Sequence, residues 1–122
     1  MNKESYISFI KEKYDISPDY PFDDANVHVF RHPDTRKWFG IIMTVKACKF
    51  ASGEAGCVDI VNLKCSQDII LSMIEEEGIY PAYHMSKKHW ISVCLSDKVS
   101  DKTLKWLTDV SYDLTRKPSK SR

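Results

Sequence analysis

Apolar positions recur along this chain with two different periods. Near the start, Tyr6, Ile7, Ile10 and Tyr14 fall at helical spacing, and Lys3, Glu4, Lys11, Glu12 and Lys13 mostly occupy the rest of the turn. That spacing predicts a surface helix with one buried stripe. Ser17-Pro18-Asp19-Tyr20-Pro21 ends it, because two prolines cannot continue a helix. The period then changes. Val27 to Arg31 alternates and is β-branched, Lys37 to Val45 is a long apolar strand, and Cys57 to Leu63 alternates again. His32-Pro33-Asp34-Thr35-Arg36 is a turn between the first two, where proline presets one dihedral and aspartate can cap. Lys46 to Gly56 is a glycine-bearing loop between the next two. Together these segments predict an antiparallel meander with two protruding loops.

Helical spacing returns at Ile69, Ile70, Met73 and Ile74, with Ser66 as N-cap, Asp68 near the positive end of the helix dipole and Gly78 as the stop. A strand, Trp90 to Leu95, follows. Ser100-Asp101 then caps a last helix that turns Leu104, Leu107, Val110 and Leu114 inward. Helix, several strands, helix, strand, helix is the order of an α+β, two-layer fold: a twisted antiparallel sheet with the helices packed on one face. Residues 1–115 form a single domain on this pattern, and residues 116–122 form a basic tail expected to be disordered.

Composition adds bounds. The 122 residues are 43% hydrophobic, enough for one core and too many for a disordered chain. No apolar run approaches the ~18 residues of a membrane span, and the N-terminus lacks a signal-peptide pattern, so a cytoplasmic protein is expected. Net charge is +1, but the tail Arg116 to Arg122 carries four basic and no acidic residues. Without it, 18 − 4 = 14 basic residues face 17 acidic ones, and the body carries −3. Nucleic-acid binding would therefore need a local cationic patch. Cys48, Cys57, Cys65 and Cys94 form no Cys-x-x-Cys pair and are expected as small buried residues.

Nucleotide-binding and nucleophile motifs are absent, and no acid and base can be paired by spacing, so no enzyme and no cofactor are expected. His28, His32, His84 and His89 have no carboxylate at metal-ligand spacing and are expected as surface or half-buried imidazoles. The first helix lacks an acidic ridge of hard oxygen ligands, so no metal is expected either. Asp23-Asp24 belongs to a turn or solvated edge, and Glu75-Glu76-Glu77 to a solvated helix end that opposes the dipole. Trp38 and Trp90 each open a strand after a basic pair, Arg36-Lys37 and Lys87-Lys88, while Lys46 and Lys49 sit on the glycine-bearing loop. If these cations converge, they form a surface fit for a phosphate backbone.

Tyr20-Pro21-Phe22, Val29-Phe30-Arg31, Lys37-Trp38-Phe39-Gly40, Asn62-Leu63-Lys64-Cys65, Pro81 through Trp90 and Ser111-Tyr112-Asp113-Leu114-Thr115 together resemble the MmcQ/YjbR family of small bacterial proteins, in the family's order and over nearly the whole chain. Ser86 stands where relatives usually have asparagine. The resemblance implies a frataxin-like fold and a DNA-binding role through two protruding loops, a double wing. On this chain the wings would be His32 to Lys37 and Lys46 to Gly56. Arg36, Lys37, Lys46 and Lys49 would meet phosphates, Lys87, Lys88 and His89 would extend the patch, and Trp38 and Tyr83 would shape it. The alternative is a module for a small anionic ligand or a protein, with Arg31, Tyr83, His84, Lys87 and His89 lining a pocket. A monomer is expected in either case.

Overall fold

The structure is a computed structural model that describes residues 1–50 and 53–117. Its elements are α1 (Lys3–Tyr14), β1 (His28–Arg31), β2 (Trp38–Lys46), a 3-10 turn (Ala47–Lys49), β3 (Cys57–Lys64), α2 (Gln67–Met73), β4 (Ile79–Pro81), β5 (Trp90–Cys94) and α3 (Asp101–Thr115). The five strands form one antiparallel sheet in the order β1-β2-β3-β5-β4. The expected α+β architecture is what forms. β4 is an addition: three residues are too few to show a period in sequence.

One face of the sheet carries the main core. Phe30, Phe39, Ile42, Val61, Leu63, Ile79, Ile91 and Val93 meet Tyr6 and Ile10 of α1 and Leu104 and Leu107 of α3. Polar side chains fix both helices. The Asn2 side chain accepts from the Ser5 amide, and Ser100 accepts from the Thr103 amide, so each of α1 and α3 starts on a side-chain cap. Thr108 Oγ1 gives its proton to the Leu104 carbonyl, so the buried Tyr6 hydroxyl donates to Thr108 Oγ1 at 2.8 Å. Ser111 donates to the Phe39 carbonyl and accepts from the Lys64 amide, tying α3 to β2 and β3 at one point.

Four expectations change. α2 ends at Met73, and Gly78 instead sets the approach to β4. Its φ of +84° and the 2.7 Å that would separate a Cβ there from Val99 both require glycine. Leu114 points out and is half exposed, because the inward stripe of α3 runs Leu104, Leu107, Thr108, Ser111 and Thr115. Cys65 and Cys94 are buried, but Cys48 and Cys57 are exposed, lying in the 3-10 turn and at the first residue of β3 beyond the helix-covered area. His28 and His32 are buried rather than superficial. The expected tail disorder concerns residues of which 118–122 lie outside those described, as do 51 and 52 of the second wing.

A candidate binding groove on the open face

Among the described residues no helix covers the other face of the sheet, yet that face is apolar too. Val29, Ile41, Val45, Ile60 and Cys94 are buried there, and Trp38, Met43, Val58, Tyr80 and Trp90 are partly buried around them. Loops supply the cover. Phe22 and Val27 come from the segment before β1, Phe50 from the end of the 3-10 turn, and Tyr83 and Met85 from the segment between β4 and β5. Phe50 stacks on Tyr80 with centroids 4.7 Å apart.

The Ala82 to His89 segment is held down by a buried polar triangle. Ser92 donates to Asn62 Oδ1, the Asn62 amide donates to the Tyr83 carbonyl at 2.9 Å, and the Tyr83 amide donates to Ser92 Oγ at 2.9 Å. Asn62 and Ser92 are fully buried, and each finds its partners. A satisfied buried network of this kind rigidifies what it holds. Two more contacts shape the segment: Lys87 Nζ caps the Ala82 carbonyl at 2.9 Å, and the Trp90 amide closes on Ser86 at 2.9 Å. The chain passes through His84 in the left-handed region, φ 60°, a conformation that costs a non-glycine residue ~1–2 kcal/mol.

Between this segment and the Phe22 loop the cover is incomplete. A groove of about 370 Å³ runs over Trp38, Ile41 and Met43, walled by Phe22, Asp24 and Val27 on one side and His84 and Met85 on the other. Phe22 meets the Trp38 ring edge-on at 5.8 Å. Met43 Sδ lies 3.8 Å from the Asn62 amide, so the groove floor touches the triangle. Volume and apolar lining are in the range of small-molecule sites.

Of the residues predicted for an anionic pocket, only His84 lines this groove. Arg31 lies over the Trp38 ring, Cζ to centroid 5.6 Å, with its charge met by Asp19 at 2.7 Å. Tyr83 packs on Phe50 and His84, Lys87 Nζ donates to a backbone carbonyl outside the groove, and His89 pairs its carbonyl with the Cys65 amide. Phe22, Asp24, Val27, Ile41, Met43 and Met85 had no part in that prediction. Their signal was present nonetheless: the Trp38–Val45 run is apolar on both phases of the strand, which marks burial on both faces.

The two predicted wings do not converge. Arg36 and Lys37 precede β2, Lys46 is its last residue and Lys49 follows, so Lys37 and Lys46 stand nine positions apart along the strand, ~30 Å at the usual rise. That exceeds a Debye length of ~8 Å at physiological salt. Arg36 also shares Asp19, at 3.5 Å. At the Trp38 end the sheet instead gathers Lys37, Lys64, Lys87 and Lys88, since Lys64 is the register partner of Trp90. Among the described residues none of these four lysines pairs with a carboxylate. There is likewise no group of three or more metal-ligating side chains among them, and no helix is long and apolar enough to cross a membrane.

Comparison with known proteins places this arrangement. A family model described as YjbR matches residues 11–114. The protein YyaQ of Bacillus subtilis is 38% identical over 117 residues, covering 95% of this chain and 99% of that protein. A crystal structure of a Pseudomonas syringae protein superposes with a TM-score of 0.91 at 38% identity, over 95% of this chain and all of that one. A Deinococcus radiodurans protein shares the fold at a TM-score of 0.69 and 22% identity, over 93% of this chain and 77% of that one.

Proposed function

The chain belongs to the YjbR family, and from that premise we propose that it is a binding module, not an enzyme, whose working site is the groove on the open face of the sheet. One observation carries this: loops cover an apolar sheet face but leave a groove over Trp38, Ile41 and Met43, and the loop beside the gap is pinned by the Asn62–Ser92–Tyr83 triangle. Covering such a surface with an apolar ligand is favourable by roughly 25 cal/mol per Å² removed from water. Neutral aromatic fragments such as 2-phenylethanol are the direct probe. At about 0.3 kcal/mol per heavy atom, such a fragment binds with a Kd on the order of 10 mM. The expected result is chemical-shift change at the Met43 and Met85 methyls and the Trp38 indole, lost in Trp38→Ala. Shifts that avoid these three residues, or that persist unchanged in Trp38→Ala, overturn the assignment.

A second function, nucleic-acid binding, is favoured by the four lysines gathered at the Trp38 end of the sheet. It uses one end of the molecule rather than two wings. Affinity for a DNA duplex measured across salt concentrations tests it. The log–log slope should shrink by about one unit for each of Lys37, Lys87 and Lys88 replaced by alanine. Lys46→Ala and Lys49→Ala should leave it unchanged. A slope that answers equally to both groups restores the double wing, and an absence of binding removes this function.

A further inference from the structure

We infer that the groove selects a small aromatic or apolar molecule carrying a protonated amine, with Asp24 as the counter-charge. The inference rests on the groove being a ligand site and adds the ligand's charge.

Eight side chains line the groove, and Asp24 is the one with a formal charge. Its Oδ1 accepts from the Asn26 amide at 2.9 Å, an Asx turn that fixes the carboxylate at the groove wall. No cation pairs with Asp24 among the described residues. Arg31, over the Trp38 ring, is held by Asp19 at 2.7 Å, a carboxylate it shares with Arg36 at 3.5 Å, and neither guanidinium lines the groove. An anionic ligand would bring its charge toward Asp24. An amine placed there gains a charge-assisted hydrogen bond, which is stronger than a neutral one. The rest of the lining suits the ligand's apolar body. Phe22 and Trp38 present ring edges and faces, and Met43 and Met85 offer flexible, polarisable thioethers that adapt to an irregular shape.

Three molecules of nearly one shape separate the charge from the body: 2-phenylethylamine, 2-phenylethanol and 3-phenylpropionate. Each is titrated into the full chain with the Trp38 indole and the Met43 and Met85 methyls as NMR reporters. The expected order is amine, then alcohol, then carboxylate, with about a fivefold gap between amine and alcohol, the scale of a favourable exposed ion pair. Asp24→Asn keeps the side-chain oxygen that closes the turn, and so should keep the fold. It should close the gap between amine and alcohol affinities. Equal binding of amine and alcohol to the unaltered chain, or preference for the carboxylate, overturns the inference while leaving the groove as a ligand site. If none of the three perturbs the reporters, the groove itself fails.

Discussion

The two faces of the sheet bury similar side chains by different means. The helix-covered face is sealed by α1 and α3, and its large residues, Tyr6, Phe30, Phe39, Leu104 and Leu107, are completely buried. The open face is sealed by three loop segments, and its aromatic residues Trp38, Tyr80, Tyr83 and Trp90 all remain partly wet. The first arrangement keeps these side chains wholly away from solvent. The second leaves a gap and spends polar contacts on holding its edges. Stability and binding are therefore expected to separate by face. A substitution under the helices should cost folding energy without touching the groove, and one in the groove lining should change binding at little cost in folding energy.

The sharpest way to break this separation is a matched pair on neighbouring parts of β2. Phe39→Ala, beneath α1 and α3, should destabilise the protein by about 3–5 kcal/mol, the range for deleting a buried aromatic ring. Met43→Ala, in the groove floor, should cost only about 1 kcal/mol because part of its side chain already meets water. Urea unfolding followed by tryptophan fluorescence gives both values. Equal losses would mean that the open face is as tightly packed as the other.

A second pair compares the polar pins. Asn62→Ala strands the Tyr83 carbonyl and the Ser92 hydroxyl, and Ser111→Ala strands the Lys64 amide and the Phe39 carbonyl. Each should cost about 1–3 kcal/mol, the penalty for buried polar groups left unpaired. Their consequences should differ. Amide exchange at Tyr83 and His84 should accelerate in Asn62→Ala alone, because that side chain holds the loop. Exchange that accelerates equally in both variants would show that the loop is held by general packing and not by the triangle.

How far the sequence reveals these features also differs by face. The helix-covered side was readable because 3.6-residue spacing, the Ser100 cap and apolar strand positions all describe regular elements. The open side was only half readable. The doubly apolar Trp38–Val45 run announced a second buried face, but Phe22–Val27 and Ala82–His89 have no period from which a roof could be deduced. A groove between two irregular segments exists only after both have folded. The cations of the two loops stay apart for a simpler reason. Loops adjacent in sequence order lie at opposite ends of the strand that joins them, so Arg36-Lys37 and Lys46-Lys49 were never neighbours. α2 stops short of Gly78 at the point where Glu75, Glu76 and Glu77 would set three negative charges against the helix C-terminus.

Acid should weaken the helix-covered side first. His28 and His32 both lie in that half, and burial lowers both imidazole pKa values below the ordinary 6.5. For His32 the Asp34 carboxylate pulls the other way and Arg116 and Lys37 add to the lowering, with burial dominant. Thr115 Oγ1 donates to the Ser111 carbonyl and so accepts from His32 Nε2 at 2.8 Å, which places the neutral ring's proton on Nε2. The unfolded chain then binds protons more readily than the folded one. The histidine contribution is complete above about pH 6.5 and is lost as pH falls from there through the lowered folded values. The urea midpoint should therefore drop between pH 7 and pH 5. His32→Gln, which can still donate to Thr115, should show a shallower drop. An identical pH profile in the two proteins would remove His32 as a source of the effect.

The smallest expected effect has the opposite sign, and it lies on the open face. His84 holds φ 60° at the groove wall, where a side chain is strained and glycine is not. His84→Gly should raise stability by about 0.5–1 kcal/mol, the reverse of placing a side chain at such a position. It should also weaken fragment binding, because the imidazole is part of the wall and the glycine backbone would be less confined. A gain in stability coupled to a loss in binding is what a strained residue kept for function produces. If His84→Gly binds 2-phenylethanol as well as the unaltered chain does, the imidazole contributes nothing to the groove, and the strain at this position has no functional account.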